Sequence, residues 1–311
     1  MPTTNPALER DALYAKSQVY IRRGFRAHAE KDTEEYQLWA SLALELLGKA
    51  ALAKVHPALV ADPDHFHSLF AACGRQISPD IKTITASTLF KRLSHLGKAF
   101  DSRHKEACEQ MALRRNAELH SGESPFSGMS AEAWEQEFWG AIEIVLGMQD
   151  ETLESWLGAE DAKAPTKIIQ QAQRALEWAV GNRISHCKED FEKEHKGAKR
   201  REKIAGESKF LTWNDHTWDA RDRCTCSACH CSGFLGGNLW NEEVIDQESE
   251  GSEDFPPMET VKKTFISELF FCPTCKLRLF GTKEISAADL PSEFYQTEDR
   301  QREFEEEYGN D

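Results

Sequence analysis

Apolar residues recur at helical spacing along much of the stretch from Asp32 to Val180. The clearest stripe spans Asp32 to Val55 and stops at His56-Pro57, because proline cannot continue a helix. Its apolar members are Trp39, Leu42, Ala43, Leu46, Ala50 and Ala53. This pattern predicts a helix with one face in a hydrophobic core.

Shorter stripes predict further helices. They fall at Phe66 to Cys73, Thr85 to Phe100, Asp101 to His120, Trp134 to Val145 and Ile168 to Val180. The segment from Asp101 to His120 contains no proline and ends directly before the helix-breaking run Ser-Gly-Glu-Ser-Pro. Five or six helices with short connections favour an antiparallel helical bundle.

The character of the sequence changes beyond Lys209. Tryptophans, cysteines and glycines follow, and runs such as Thr264 to Phe271 have the composition of strands. An acidic loop from Glu242 to Asp254 interrupts this region. The predicted fold class is therefore mainly α, an antiparallel helical bundle followed by a small C-terminal β domain.

Charge is distributed unevenly along the 311-residue chain. The formal net charge is −15, and Asn241 to Asp311 holds 19 acidic and 7 basic residues, so −12 lies at that end and −3 in the remainder. An acidic chain argues against binding nucleic acid through phosphate contacts. The basic run Lys193 to Lys203 is a local exception, which fits a solvated helix face or an RNA contact equally well.

The sequence gives no sign of a membrane segment. The best candidate, Leu42 to Val55, is interrupted by Glu45 and Lys49, and is too short to span a bilayer. The N-terminus lacks the basic and apolar stretches of a signal peptide. We therefore expect a cytoplasmic protein with no membrane partner.

Six of the nine cysteines lie between Cys224 and Cys275, a distribution that suits metal binding in a reducing compartment better than disulfides. Two C-x-x-C pairs stand out, Cys226 with Cys229 and Cys272 with Cys275. Each pair can supply two thiolates from one tight turn, and two pairs complete a tetrahedral zinc site. Four thiolates leave no open position, so we expect a structural zinc.

The paired turns resemble the zinc ribbons of many bacterial proteins, in which each turn heads a β-hairpin. Cys224 and Cys231 are alternative ligands, because they lie close to the first pair in the sequence. Redox-active C-x-x-C pairs would instead require a βαβ context, which the sequence lacks.

A candidate catalytic motif lies at the end of the Asp101-to-His120 helix. Arg115 is followed directly by Asn116, and His120 is the last residue before the helix breaker. Asn116 and His120 are four positions apart and share a helix face. The spacing of arginine and histidine alone is weak evidence, since Arg23 and His28 repeat it.

Arg115 has an unusual position on its predicted helix. It falls on the stripe formed by Cys108, Met111 and Leu119, where a buried face would favour an apolar residue. A charge at such a position needs an acidic partner or a functional reason.

These residues resemble the R-N-x-x-x-H motif of the HEPN superfamily, helical proteins of toxins, antiviral defence and RNA processing, over roughly residues 30 to 158. The resemblance implies an endoribonuclease that works as a homodimer without metal, in which the RNA 2′-hydroxyl attacks the adjacent phosphate and a cyclic phosphate results. It implies that His120 transfers protons, Arg115 stabilises charge on the phosphate, and Asn116 orients the histidine or the phosphate.

The resulting domain prediction is a HEPN-like helical bundle at 1–160, a helical basic connector at 161–219, a zinc ribbon at 220–288 and an acidic tail at 289–311. The expected role is a toxin or antiviral effector acting on an RNA substrate. Its zinc ribbon would recognise the RNA, a regulatory protein or a phage-derived trigger.

A non-catalytic adaptor is the alternative. In that case Arg115 would pair with a carboxylate such as Glu109 or Glu135, and His120 would merely cap the helix. The acidic ribbon and the lack of a helix-turn-helix pattern argue against a sequence-specific DNA regulator. The alternating run Asp62, Asp64, His65 and His67 is more typical of a solvated loop than of a metal site.

Overall fold

The computed structural model describes residues 5–213, 215–247 and 257–301. The chain forms two compact units, Met1–Ala175 and Leu176–Asp311. The division falls inside one long helix, Lys163–Glu194, and within the stretch 161–219 predicted as a connector. Among the described residues, no helix combines the length and apolar character that crossing a membrane requires.

The first unit is helical. Its helices are α1 (Arg10–Ala29), α2 (Thr33–Val55), α3 (Phe66–Ala72), α4 (Ala86–Ser94), α5 (Ser102–His120), α6 (Glu135–Gly147), α7 (Leu153–Leu157) and the first part of α8 (Lys163–Glu194). Two short 3-10 turns lie at Pro57–Leu59 and Ala131–Ala133. Helix α1 was not predicted, because its buried positions include Ser17 and Gly24, which blur the apolar stripe.

Helix α2 lies at the centre of the core of this unit. Asp32 caps its first turn by accepting a hydrogen bond from the Glu35 amide. Leu44 and Leu47 are fully buried, whereas Trp39, Leu42 and Leu46 of the predicted stripe are only half-buried. Helix α5 is likewise capped by the Asp101 side chain and ends at His120, as the sequence predicts. These two helices carry the charged residues discussed below.

The second unit combines helices with a sheet. It contains the end of α8, then α9 (Ala198–Ser208), β1 (Ala220–Thr225), β2 (Ser232–Gln247), β3 (Met258–Phe271), β4 (Arg278–Phe280), α10 (Gly281–Ala287) and β5 (Glu293–Gln301). The strands form one antiparallel sheet of order β1-β2-β3-β4, and β5 pairs with the other half of β3. Gly197, with φ of 95°, separates α8 from α9 within the basic run.

The predicted fold class is wrong. Helices account for about 53% of the described residues, and the C-terminal part is not a small ribbon but a five-stranded antiparallel sheet with helices of its own. Strand β2 continues through the first half of the expected acidic loop, and β5 occupies part of the expected acidic tail. The remaining expected loop and tail residues, 248–254 and 302–311, lie outside the described residues.

Ion pairs across the sheet explain why acidic segments form strands. Lys263 on β3 contacts Glu242 on β2 at 3.5 Å and also pairs with Glu298 on β5. Arg300 on β5 contacts Glu242 and Glu259 at 3.2 and 2.7 Å. Because opposite charges face each other on neighbouring strands, the acidic residues are tolerated in the sheet.

Candidate metal centre and candidate active site

The two C-x-x-C pairs occupy the turns of two neighbouring hairpins. One turn joins β1 to β2 and contains Cys226 and Cys229, and the other joins β3 to β4 and contains Cys272 and Cys275. Strands β2 and β3 pair directly, with Phe234 opposite Phe271. This register places the two turns side by side at one end of the sheet, so the four cysteines meet.

Both turns have the same backbone geometry. The Cys226 amide donates to the Cys231 carbonyl and the Cys272 amide to the Leu277 carbonyl, each at 2.9 Å. The fifth residue of each turn is left-handed, with φ of 58° at His230 and 65° at Lys276. Because the turns repeat one conformation, they present their paired thiols in the same way.

The sulfur positions fit a tetrahedral metal ion. The ligand atoms of Cys226, Cys229, Cys272 and Cys275 all lie within 4.8 Å of one another. The Sγ atoms of Cys226 and Cys275 are 3.6 Å apart, as are those of Cys229 and Cys272. A tetrahedral zinc ion with bonds of about 2.3 Å would separate its sulfurs by about 3.8 Å. The four cysteines are therefore arranged to hold a metal ion.

Cys224 and Cys231 do not belong to this group. Cys224 lies on β1, outside the turn that contains Cys226 and Cys229, and burial raises the pKa of its thiol to about 12. The Cys231 thiol donates to the Cys229 carbonyl at 3.7 Å, and burial raises its pKa as well. The sequence could not make this distinction, because it depends on which sulfurs the hairpin turns direct towards each other.

The guanidinium of Arg115 is buried against α2. Arg115 is 8% exposed, and its Nη1 donates to the Glu45 carboxylate at 2.6 Å. The acidic partner is thus Glu45, and not Glu109 or Glu135. Glu135 instead accepts from the hydroxyl of Tyr36 at 2.7 Å. The predicted need for a carboxylate near Arg115 is met by a residue from a different helix.

Glu45 also forms an ion pair with a second cation. The ammonium of Lys49, which is 7% exposed, donates to the other Glu45 oxygen at 2.7 Å and to Thr83 Oγ1 at 3.0 Å. Burial of the carboxyl acts to raise the pKa of Glu45, but the charges and hydrogen bonds of Lys49 and then Arg115 outweigh it and lower the pKa. Two buried cations therefore share one ionised carboxylate.

Sequence reasoning missed Glu45 and Lys49 as site residues. In the sequence, both residues stand out only as interruptions of an apolar run. The available signal was the pair of opposite charges at positions i and i+4 inside an apolar run. If such a pair is buried, it needs further polar or charged partners. The sequence could not identify Arg115 as that partner, since the contact joins residues 70 positions apart.

The other two motif residues face away from this network. Asn116 and His120 are exposed, and His120 occupies the last turn of α5. The predicted stripe along α5 is also corrected: Cys108 and Met111 are buried, but Leu119 is 48% exposed. Within one chain, the motif therefore divides into a buried arginine and an exposed asparagine and histidine.

Three polar atoms near the motif are buried without a hydrogen-bond partner among the described residues. They are the Nε atoms of Arg114 and Arg115 and the Oε2 atom of Glu118. Burial lowers the pKa of Arg114, because removal from water disfavours its charged form. Groups of both charge signs near this turn of α5 therefore have hydrogen-bonding atoms that the described residues do not satisfy.

The second arginine–histidine pair of the same spacing has different surroundings. Arg23 lies over the rings of Tyr20 and Trp39, at 5.6 and 4.7 Å from their centroids. The His28 ring packs against Tyr36, with centroids 4.8 Å apart. These aromatic contacts account for both residues, and the pair provides a matched control for Arg115 and His120.

Comparison of the chain with protein-family models, with curated proteins and with solved structures gives no match. The functional assignment consequently depends on the motif and on the geometry described above.

Proposed function

We propose that the protein is a metal-independent endoribonuclease that acts as a homodimer through Arg115, Asn116 and His120. The observation that carries the proposal is the charge network at the motif. Glu45 holds the Arg115 guanidinium in one orientation, and Lys49 adds a second cation to the same carboxylate. An oriented guanidinium is suited to a phosphate, and the exposed imidazole of His120 is accessible to RNA.

The proposed reaction is transfer of the phosphate to the neighbouring ribose oxygen. The RNA 2′-oxygen attacks phosphorus and loses its proton, while the bond to the 5′-oxygen breaks and that oxygen gains a proton. His120 serves these proton transfers, Arg115 stabilises charge on the phosphate, and Asn116 orients the histidine or the phosphate. The product is a cyclic phosphate, and the chemistry needs no metal.

A homodimer is proposed because the motif residues of one chain lie on different sides of α5. Asn116 and His120 are exposed and available to a second copy, whereas Arg115 is anchored to α2. Pairing two copies of α5 would place both histidines in one cleft, as the HEPN resemblance implies. The RNA would then lie between the copies.

The metal of the four-cysteine cluster is proposed to be zinc, which Cys226, Cys229, Cys272 and Cys275 would hold as thiolates. Its role is structural, because four protein ligands leave no position for a substrate. The second unit would recognise the RNA, a regulatory protein or a phage-derived trigger. The whole protein would then act in the cytoplasm as a toxin or antiviral effector that is inactive until triggered.

The adaptor alternative also has support from one observation. The ion pair with Glu45 gives Arg115 a structural role that needs no substrate. An adaptor would use the helical unit and the sheet to bind partners, and its binding would not depend on His120.

The two functions are separated by incubating the zinc-loaded protein with end-labelled RNA, with and without EDTA. The variants are Arg115→Ala and His120→Ala, with Arg23→Ala and His28→Ala as matched controls. We expect cleavage with cyclic phosphate ends in the wild type and the controls, and a loss of about 10²–10⁴-fold in His120→Ala. Folded, dimeric protein that leaves RNA intact both alone and with cell extract as a source of trigger would favour the adaptor.

A further inference from the structure

A second group of metal-ligating side chains lies in the first unit, apart from the charge network and the cysteine cluster. It consists of His65, His67 and Asp80, whose ligand atoms lie within 4.8 Å of one another. Asp80 lies outside the alternating run of Asp62, Asp64, His65 and His67, so sequence proximity does not group it with the histidines. Two imidazoles and a carboxylate within this distance form a set of ligands that zinc and neighbouring transition metals commonly use.

The fold brings these residues together by pairing the segments on either side of α3. Ala61 and Thr83 form an isolated antiparallel bridge, and the Asp62 amide donates to the Lys82 carbonyl at 3.1 Å. The loop that contains Asp80 is thereby held beside His65 and His67. These backbone contacts place the Asp80 carboxylate next to the two imidazoles.

Buried Ser68 fixes the ring of His65. The Ser68 hydroxyl is 2.8 Å from His65 Nδ1 and accepts a hydrogen bond from the Lys82 amide at 2.8 Å. His65 Nε2 consequently faces the Asp80 carboxylate at 3.2 Å. Metal-binding histidines are characteristically oriented in this way, with one ring nitrogen hydrogen-bonded and the other directed at the metal.

We propose that His65, His67 and Asp80 form a binding site for a divalent transition metal ion. His65 and Asp80 are 17% and 63% exposed in their side chains, so an ion can enter from solvent. Three protein ligands leave a fourth position for water, in contrast to the closed cysteine cluster. The ion would join the loop before α4 to the start of α3.

The test uses Co²⁺ added to full-length protein whose cysteine cluster has first been loaded with Zn²⁺. Co²⁺ binds less tightly than Zn²⁺ in the general affinity order, so it should not displace zinc from the thiolates. Equilibrium dialysis followed by elemental analysis then counts Co²⁺ and Zn²⁺ separately. The comparison includes His67→Ala, Asp80→Asn and, as a control, His95→Ala at an exposed histidine elsewhere in the unit.

We expect one Co²⁺ per chain in the wild type and in His95→Ala, with zinc content unchanged. His67→Ala and Asp80→Asn should each bind Co²⁺ at least about tenfold more weakly. Circular dichroism would establish that these partly exposed positions tolerate the changes. Absence of Co²⁺ binding by the wild type, or equal binding by all four folded proteins, would overturn the proposal. In that case the contact between His65 and Asp80 is a hydrogen bond alone.

Discussion

The Arg115 guanidinium and the Glu45 carboxylate lie 2.6 Å apart, although 70 positions separate them in the sequence. The contact joins α5 to α2 within the core of the first unit. Lys49 donates to the same carboxylate, so removal of Glu45 would leave two buried cations without an acidic partner. Glu45 therefore connects the stability of the helical unit to the geometry of the proposed active site.

The first prediction concerns the loss of this carboxylate. Glu45→Gln should lower the free energy of unfolding by about 3 kcal/mol, because breaking a buried ion pair leaves its partners uncompensated. Chemical denaturation followed by circular dichroism would measure the change. Glu34→Gln, at an exposed position of the same helix, should have little effect. Equal stability of the two variants would show that Glu45 contributes nothing.

A second prediction follows from the lowered pKa of Glu45. The pKa of the Glu45 carboxyl is lower in the folded protein than in the unfolded chain, where it is near 4.5. The ionised carboxylate therefore stabilises the folded protein fully when the pH is above about 4.5. This contribution disappears as the pH falls through the pKa of the folded protein. The stability difference between the wild type and Glu45→Gln should therefore be constant from neutral pH down to about 4.5 and then shrink. A difference that stays constant in more acidic solution would contradict the pairing.

The helical unit could be predicted from the sequence because its elements have apolar stripes of helical period. The end of α5 at His120 was predicted for this reason, together with the breaker that follows it. The contact between Glu45 and Arg115 could not be predicted in this way. Periodicity identifies the buried face of a helix, but it does not identify the helix that packs against that face. Helix α1 was missed because Ser17 and Gly24 occupy buried positions where small size matters more than apolarity.

The sheet was harder to predict than the cysteine site within it. C-x-x-C spacing is a local property, and two such turns predict a cluster whatever the length of chain between them. Strand β2 instead depends on pairing with β3, where Lys263 contacts Glu242 only once the strands are in register. A strand stabilised by cross-strand charge resembles a loop when its own sequence is considered alone.

The third prediction concerns the ligand set of the metal cluster. Cys272→Ser should reduce the zinc content well below one ion per chain and lower the melting temperature, because a structural zinc contributes directly to folding. Cys231→Ser should retain the full zinc content, since the Cys231 thiol donates to a carbonyl instead of joining the cluster. Elemental analysis and thermal unfolding would measure both effects. Full zinc content in Cys272→Ser would mean that another thiol replaces it.

The fourth prediction concerns the left-handed residue of the first cysteine turn. His230 has φ of 58°, a conformation that glycine adopts without strain and that β-branched residues disfavour most strongly. His230→Val should lower the free energy of unfolding by about 1–2 kcal/mol, whereas His230→Gly should preserve it or raise it slightly. At Glu243, an exposed position of β2, the valine variant should instead be more stable than the glycine variant, because valine favours a strand and glycine weakens it. Thermal and chemical unfolding of the four zinc-loaded variants would measure the order at each site. If valine were as well tolerated as glycine at His230, the backbone of this turn would not be the constraint that directs Cys226 and Cys229 towards the second pair.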